Sequence, residues 1–246
     1  MAPAKKYELA VIVPTRNEEE YVGEMLLRIR SQVAGKFASY VIVVTDGGST
    51  DGTKRIVKDA AERDGHIMFI GHKVHTLRGY DARDAIRKVD ARLYFYVDVD
   101  LAPSIGHFKD LLVAQKKGYN AVLGSRYVGS SALERPPLRL FVSKAYNRLL
   151  NLFFRESITD HQCGFRLFDE RAAEIIRTES REAHWMWDTE VILLALRGGL
   201  SVCEVPIPWR ERRSKRTPLR RLVGDIWLHG TGILRLFVRF SLGIGS

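Results

Sequence analysis

Cysteine is nearly absent. Cys163 and Cys203 are the only two, they form no CxxC pair, and that argues against a disulfide framework or a thiolate zinc site and for a reducing, cytoplasmic compartment. Long uncharged runs are missing too. A spanning helix needs about 20 predominantly apolar residues, and the nearest approach, Ile226 to Gly245, is interrupted by His229, Arg235 and Arg239. Met1 to Tyr7 carries no signal-peptide pattern. Histidine offers no ligand cluster: the seven residues are scattered, and His72 with His75 reads as a surface pair. Acidic residues are in deficit, 29 against 39 Lys and Arg, for a net charge of +10. An anionic partner is implied, whether nucleic acid, a lipid surface or a phosphorylated small molecule.

What the chain does have is apolar content, 46% of 246 residues, enough for one large domain. Leu9 to Val13, Tyr40 to Thr45, His66 to Gly71, Tyr94 to Val97 and Ala121 to Leu123 are short apolar runs of the kind buried parallel strands show. Between the first two, Val22, Met25, Leu26, Ile29 and Val33 fall at helical spacing, with Glu18, Glu19 and Glu20 placed in the first turn. A second helix fits Gly52 to Arg63, its N-cap drawn from Ser49, Thr50 or Asp51. The alternation predicts an α/β fold, a mostly parallel sheet covered by helices on both faces. Ligands of such sheets bind beyond the carboxyl ends of the strands.

Polar groups gather at those ends. Pro14-Thr15-Arg16-Asn17-Glu18 follows the first strand, Asp46-Gly47-Gly48-Ser49-Thr50-Asp51-Gly52-Thr53 the second, and Asp98-Val99-Asp100 the run ending at Val97. PTRNEE has no glycine, which excludes a dinucleotide fingerprint, and Thr53 stands where a P-loop needs lysine. Asp98 and Asp100 share a strand face about 7 Å apart. Drawn to about 4 Å, they repel by roughly 4 kcal/mol at an effective dielectric of 20 unless a proton or cation intervenes. Mg²⁺ or Mn²⁺ with substrate phosphates satisfies such a pair; the alternative is one aspartate capping the turn before Pro103 and the other solvated.

Five ordered motifs, PTRNEEE, TDGGSTDGT, DVDLAP, Gly124-Ser125-Arg126-Tyr127 and Asp160-His161-Gln162-Cys163-Gly164-Phe165-Arg166, make the chain resemble family 2 glycosyltransferases of the GT-A (Rossmann-like) fold over about residues 8 to 217. In particular it is similar to dolichyl-phosphate glucose and mannose synthases. The resemblance implies that Pro14, Asn17 and Glu18 border the nucleotide and that Asp46 meets the base or ribose. It implies that Asp98 and Asp100 hold the metal and the donor diphosphate, that Arg126 lies beside the donor and acceptor phosphates, and that Arg166 ends a GFR element. Ser214-Lys215 matches a mobile segment closing over the diphosphate. Many members carry a second aspartate where this chain has Gly47, leaving one nucleotide contact missing or replaced. A Gly-Lys-Gly segment of relatives reads Arg78-Gly79-Tyr80-Asp81-Ala82-Arg83 here, with Arg78 or Arg83 as substitutes for the lysine.

The expected reaction is inverting transfer of glucose or mannose from UDP-glucose or GDP-mannose to a polyprenyl or dolichyl phosphate. The acceptor phosphate is already ionised near neutrality, so no strong base is required. A glycan hydroxyl acceptor would need one. Asp188 and Glu190 are the visible candidates, although Asp188 as N-cap of the helix Val191 to Leu196 explains them equally. The chain divides into a catalytic domain, 1–217, and a C-terminal segment, 218–246. There Leu219, Leu222, Val223, Ile226, Trp227, Ile233, Leu234, Phe237 and Val238 form an apolar stripe, with Arg220, Arg221, Arg235 and Arg239 off it. This reads either as a basic amphipathic helix on the cytoplasmic membrane face or as a last helix packed on the domain. In Leu138 to Phe154 a polar row, Arg139, Ser143 and Asn147, opposes an apolar stripe of Phe141, Val142, Ala145, Leu149 and Leu152. That row lines the acceptor side or is a solvated face. No zinc-finger spacing or RNP-like strand supports nucleic acid as the partner.

Overall fold

The computed structural model describes residues 7–99, 105–129, 133–134, 137–210 and 219–242. Asp100, Ser214 and Lys215 lie outside the described residues, as does the side chain of Arg139.

Strands β1 (Tyr7–Thr15), β2 (Tyr40–Asp46), β3 (Ile67–Gly71), β4 (Ala91–Val97), β5 (Ala121–Ser125), β7 (Phe165–Asp169) and β8 (Val202–Pro206) form one sheet in the order β3-β2-β1-β4-β7-β5-β8. The short β6 (Leu133–Glu134) and β9 (Trp209–Arg210) pair separately. Pairing is parallel except for β7, which runs antiparallel to both β4 and β5. The reversed strand matters for function. Because β7 starts where β4 ends, Phe165 faces Val97, and the backbone of Asp98 donates to the Gly164 carbonyl at 2.9 Å.

Residues alternate between two cores, as a strand period of two requires. Val11, Val13, Ile42, Val44, Phe95 and Leu167 face α1 (Val22–Val33), α2 (Thr53–Arg63) and α4 (Phe108–Lys116). Ala10, Ile12, Val43, Tyr94, Tyr96 and Phe168 face α3 (Arg78–Lys88), α6 (Glu170–Glu179) and α7 (Trp187–Arg197). With both faces covered, the strands read as continuous apolar runs, and the expected α/β architecture is what forms.

Local expectations shift in three places. Helix α1 starts at Val22, after Glu18 to Glu20 rather than around them, because Asn17 turns the chain at φ 54° and the Glu18 carbonyl takes the amides of Tyr21 and Val22. Asn tolerates that left-handed conformation better than other non-glycine residues. Helix α2 starts at Thr53, whose amide donates to the Asp51 carboxylate at 3.0 Å. Helix α7 is preceded by Met186, so Asp188 lies inside its first turn and is not the cap.

Helices α5 (Pro137–Phe154) and α8 (Leu219–Leu242) share a third core with α7, built from Tyr146, Leu150, Leu193, Ile233, Leu236 and Phe240. The last half of α8 therefore packs on the domain. Two arginines of this half tie it to the domain: Arg235 binds the Glu182 carboxylate at 2.7 and 2.8 Å, and Arg239 pairs with Glu190. Leu234 and Val238, expected on one stripe with Ile233 and Phe237, face outward instead. Among the described residues no helix is long and apolar enough to cross a membrane.

Phe95 joins the layers, stacking on Phe108 at 4.3 Å and meeting Phe165 edge-on at 4.9 Å. Phe95→Ala should cost about 3–5 kcal/mol of unfolding free energy in urea titration, as buried aromatic truncations do.

Candidate functional site

The ends of β1 and β2 are stitched together by their own loops. Asn17 donates its amide to the Ser49 hydroxyl at 2.9 Å and accepts the Thr50 amide at 2.8 Å on Oδ1. The Glu18 amide donates to Thr53 Oγ1 at 2.8 Å, and Glu19 Oε2 accepts the Gly52 amide at 2.6 Å. Asp46 is fully buried; its Oδ2 accepts the amides of Gly48 and Ser49 and lies 3.5 Å from Lys54. These bonds fold the loop whose φ-positive Gly48 makes the turn. Pro14 is buried inside β1. The structure thus brings Pro14, Asn17, Glu18 and Asp46 to one edge.

At the end of β4, Asp98 meets a cation from α3. Arg78 Nη1 donates to both Asp98 oxygens at 3.0 and 2.9 Å, and its Nη2 pairs with Asp188 at the start of α7. The guanidinium lies 4.7 Å from the Trp185 ring and 5.7 Å from Tyr96. Burial opposes its charge, but Asp188 and Asp98 outweigh that and hold its pKa well above the ordinary arginine value. Tyr96 donates its hydroxyl to Asp98 at 3.1 Å; burial raises its pKa far up, so the proton stays. Gly164 is required here, since a Cβ on it would sit 1.9 Å from Asp98 Oδ2.

Asp188 is fully buried and lies against two arginines, Arg78 and Arg166. Arg166 contacts its Oδ1 at 3.2 Å and donates to the carbonyls of Asp188, Cys163 and His161 at 2.7, 2.9 and 2.6 Å. The 3.2 Å approach is an ion-pair contact outside hydrogen-bond geometry. Arg166 is a structural clamp on the Asp160–Phe165 loop. Glu190 accepts the amides of Arg181 and Glu182 besides pairing with Arg239, so it ties α7 to α8. Of the two candidate lysine substitutes, Arg78 reaches the site, while Arg83 donates to the Ser180 and Glu182 carbonyls.

Arg126 is committed as well. Its Nε and Nη2 grip Asp160 at 2.7 Å each, and its amide adds a third bond at 3.0 Å. Burial works to raise the Asp160 pKa, and Arg126 overrides it to leave the group below 3.8. On α5, Ser143 accepts the Tyr127 hydroxyl at 2.7 Å, and Asn147 Oδ1 accepts the His161 amide at 3.1 Å. Ser143 and Asn147 therefore face the loops bearing Arg126 and His161. The opposite stripe is exposed: Phe141 by 70% and Leu152 by 75%.

Does a divalent metal suit these residues? Asp98 offers a carboxylate at a strand end, in contact with the Arg78 guanidinium and filling the space that Gly164 leaves. Mg²⁺ commonly takes one or two protein carboxylates and fills its other positions with phosphates and water. The donor set fits. Among the described residues no group of three or more potential ligands occurs.

Residues 10–176 match the sequence profile of Glycosyl transferase family 2. The chain belongs to that family. It is 32% identical over 245 residues to "Glycosyltransferase AglD" of Haloferax volcanii, covering 98% of this chain and 39% of that protein. It is 31% identical to "Dolichyl-phosphate beta-glucosyltransferase ALG5A" of Trichomonas vaginalis, covering 85% of this chain and 67% of that one. The chain thus spans well under half of the Haloferax relative. Its fold is similar to that of glucosyl-3-phosphoglycerate synthase from Mycobacterium tuberculosis, solved with Mn²⁺, UDP-glucose and phosphoglyceric acid, at TM-score 0.70 and 16% identity over 94% of this chain and 80% of that one. The architecture is GT-A, and the enzyme is a glycosyltransferase.

Tyr96, Trp185, Asp160 and Gly164 enter the site without having been assigned roles from sequence; Asp160 and Gly164 lay inside a recognised motif, whereas Tyr96 and Trp185 carried no local signal. Arg126→Ala should cost about 3–5 kcal/mol by leaving Asp160 buried without its cation. A carboxylate with a depressed folded pKa stabilises the fold above its unfolded value and loses that contribution as pH falls through the folded one. Without Arg126, burial alone acts on Asp160 and raises its pKa, so the gap between wild type and Arg126→Ala in urea unfolding should narrow as pH falls and the variant's Asp160 takes a proton before the wild type's does.

Proposed function

We propose that this enzyme transfers a hexose, with inversion, from a nucleotide sugar to a polyprenyl or dolichyl phosphate. The observation that carries the reading is the Asp98 carboxylate at the end of β4, bridged by Arg78 to Asp188, in a chain of this family. The names of the relatives support the lipid-phosphate acceptor. UDP-glucose is the proposed donor, in keeping with the glucosyl relatives and with the UDP-glucose bound in the M. tuberculosis enzyme; GDP-mannose is the competing outcome.

In this reading Asp98 and Asp100 hold Mg²⁺ or Mn²⁺, which supplies charge neutralisation for the departing diphosphate. Arg78 adds a fixed positive charge at the same place. An ionised oxygen of the acceptor phosphate attacks the anomeric carbon as the bond to the nucleoside diphosphate breaks, so an α-linked donor gives a β-linked product. No proton has to be removed from the nucleophile. That suits a site whose buried carboxylates, Asp188 and Glu190, are turned away to arginines and amides. Among the described residues neither Asp188 nor Glu190 is placed to serve a glycan hydroxyl acceptor as base.

The exposed stripe Leu138, Phe141, Leu149, Leu152 and Phe153 on α5 adjoins the exposed Leu228, Leu234 and Val238 of α8 through the Phe153–Phe237 contact at 5.2 Å. An apolar surface of this kind on a strongly basic chain suits a membrane interface. We place the enzyme on a membrane surface, on the cytoplasmic side, with α5 as the principal contact.

Incubation with polyprenyl phosphate, Mn²⁺ and radiolabelled UDP-glucose should give acid-labile label in the organic phase, and Asp98→Asn should lower it at least about 100-fold. Label that stays aqueous with every UDP- and GDP-sugar tried would defeat the lipid acceptor. Each large side chain kept out of water contributes roughly 1.5–3 kcal/mol. Phe141→Ser with Leu152→Ser should accordingly weaken co-sedimentation with anionic vesicles by more than about tenfold.

A further inference from the structure

Two carboxylate oxygens at the end of β2 accept no hydrogen bond from the described residues. One is Oδ1 of Asp46, whose side chain is fully buried. The other is Oδ2 of Asp81, a 3% exposed residue on α3 whose Oδ1 takes the Thr76 hydroxyl at 2.6 Å. Gly47 lies between them. A Cβ on Gly47 would stand 2.7 Å from Asp81 Oδ2, so the missing side chain is what lets Asp81 reach the strand end. Burial, and the proximity of Asp46 and Asp84, raise the Asp81 pKa despite Thr76 and His72. His72 is not the surface group its sequence suggested; its Nε2 lies 3.3 Å from Asp81 and 3.6 Å from Asp84, on the far side of the carboxylate from the bare oxygen.

Asp46 Oδ1 is sealed within the protein, whereas a bare Asp81 Oδ2 beside Gly47 at the strand end calls for a ligand with donors. A phosphate is excluded by charge. The nucleoside end of a sugar nucleotide, with its base N–H and ribose O–H groups, is suited to it. Helix α3 also sets the orientation. Arg78 and Asp81, three residues apart, share a helix face with Cβ atoms about 5–6 Å apart. One reaches Asp98 beyond β4 and the other Gly47 beyond β2, with β1 between. The two strands are about 10 Å apart at two sheet spacings. A nucleotide sugar lying across the β1 end would put its anionic part by Arg78 and its neutral donors by Asp81.

We propose that Asp81 is a specificity-determining residue of the donor pocket, accepting a hydrogen bond from an N–H or O–H group of the donor's nucleoside. This rests on the nucleotide-sugar reading above.

The test is calorimetric binding of UDP and of GDP, each with Mn²⁺, to the whole chain, with no transfer required. Asp81→Asn, which keeps the shape and the Thr76 contact, should weaken the nucleotide that wild type binds by about tenfold or more, equal to about 1.4 kcal/mol. Gly47→Asp combined with Asp81→Gly, which returns a carboxylate to the same space from β2, should recover affinity to within about threefold. If UDP is bound, 2′-deoxy-UDP and N3-methyl-UDP separate the two donors: the analogue lacking the bonded group should bind wild type and Asp81→Asn alike. Undiminished nucleotide binding by Asp81→Asn overturns the assignment while leaving the donor reading intact. Absence of binding of either nucleotide to wild type overturns both.

Discussion

Arg78 is the constraint around which the site is arranged. Its guanidinium takes both oxygens of Asp98 and one of Asp188, joining the end of β4 to the start of α7 across α3. Arg166 contacts the same Asp188 and holds three carbonyls of the surrounding backbone. Two carboxylates could not share this buried space without those cations, because unpaired buried charge costs several kcal/mol. The reversed strand β7 follows from the same demand. It returns the Asp160–Phe165 loop to the β4 end, where Gly164 admits Asp98 at a distance no side chain would allow.

This charge balance also bears on the reaction. A glycosyltransferase that deprotonates a sugar hydroxyl needs a carboxylate free to take a proton from substrate. Here Asp188 is shut behind Arg78 and Arg166, and Glu190 spends its oxygens on two amides and Arg239. At the β4 end stands Asp98 with a cation on it. The arrangement suits a nucleophile that arrives ionised and a leaving group that departs as an anion.

The sheet was legible in the sequence because a strand covered on both faces must be apolar throughout, and β1 to β5 announce themselves that way. β7 and β8 were not. Phe165-Arg166-Leu167-Phe168-Asp169 carries an arginine that burial tolerates only because the Cys163, His161 and Asp188 carbonyls receive it, and β8 is half-buried from Val202 to Val205 and exposed at Pro206. The strand-end motifs were equally visible, but their partners were not: Arg78 meets Asp188 across more than a hundred residues, which spacing cannot report. Periodicity also gave the two faces of α5 without saying which one faces in. Ser143 and Asn147 turn inward, where Tyr127 and His161 offer them hydrogen bonds, and Phe141 and Leu152 are left exposed.

Such an inverted helix is costly for a protein surrounded by water, since it leaves large side chains exposed that could have joined the third core. The inversion makes sense if the same helix serves two surroundings. Its polar side braces the loops that carry Arg126 and the start of β7, and these in turn fix the space beside Asp98. Its apolar side is left for a phase other than water. An acceptor with a charged head and a hydrocarbon tail presents the same division, and a helix with one face in each environment is a direct way to bring that head to a strand-end crevice while the tail stays in lipid.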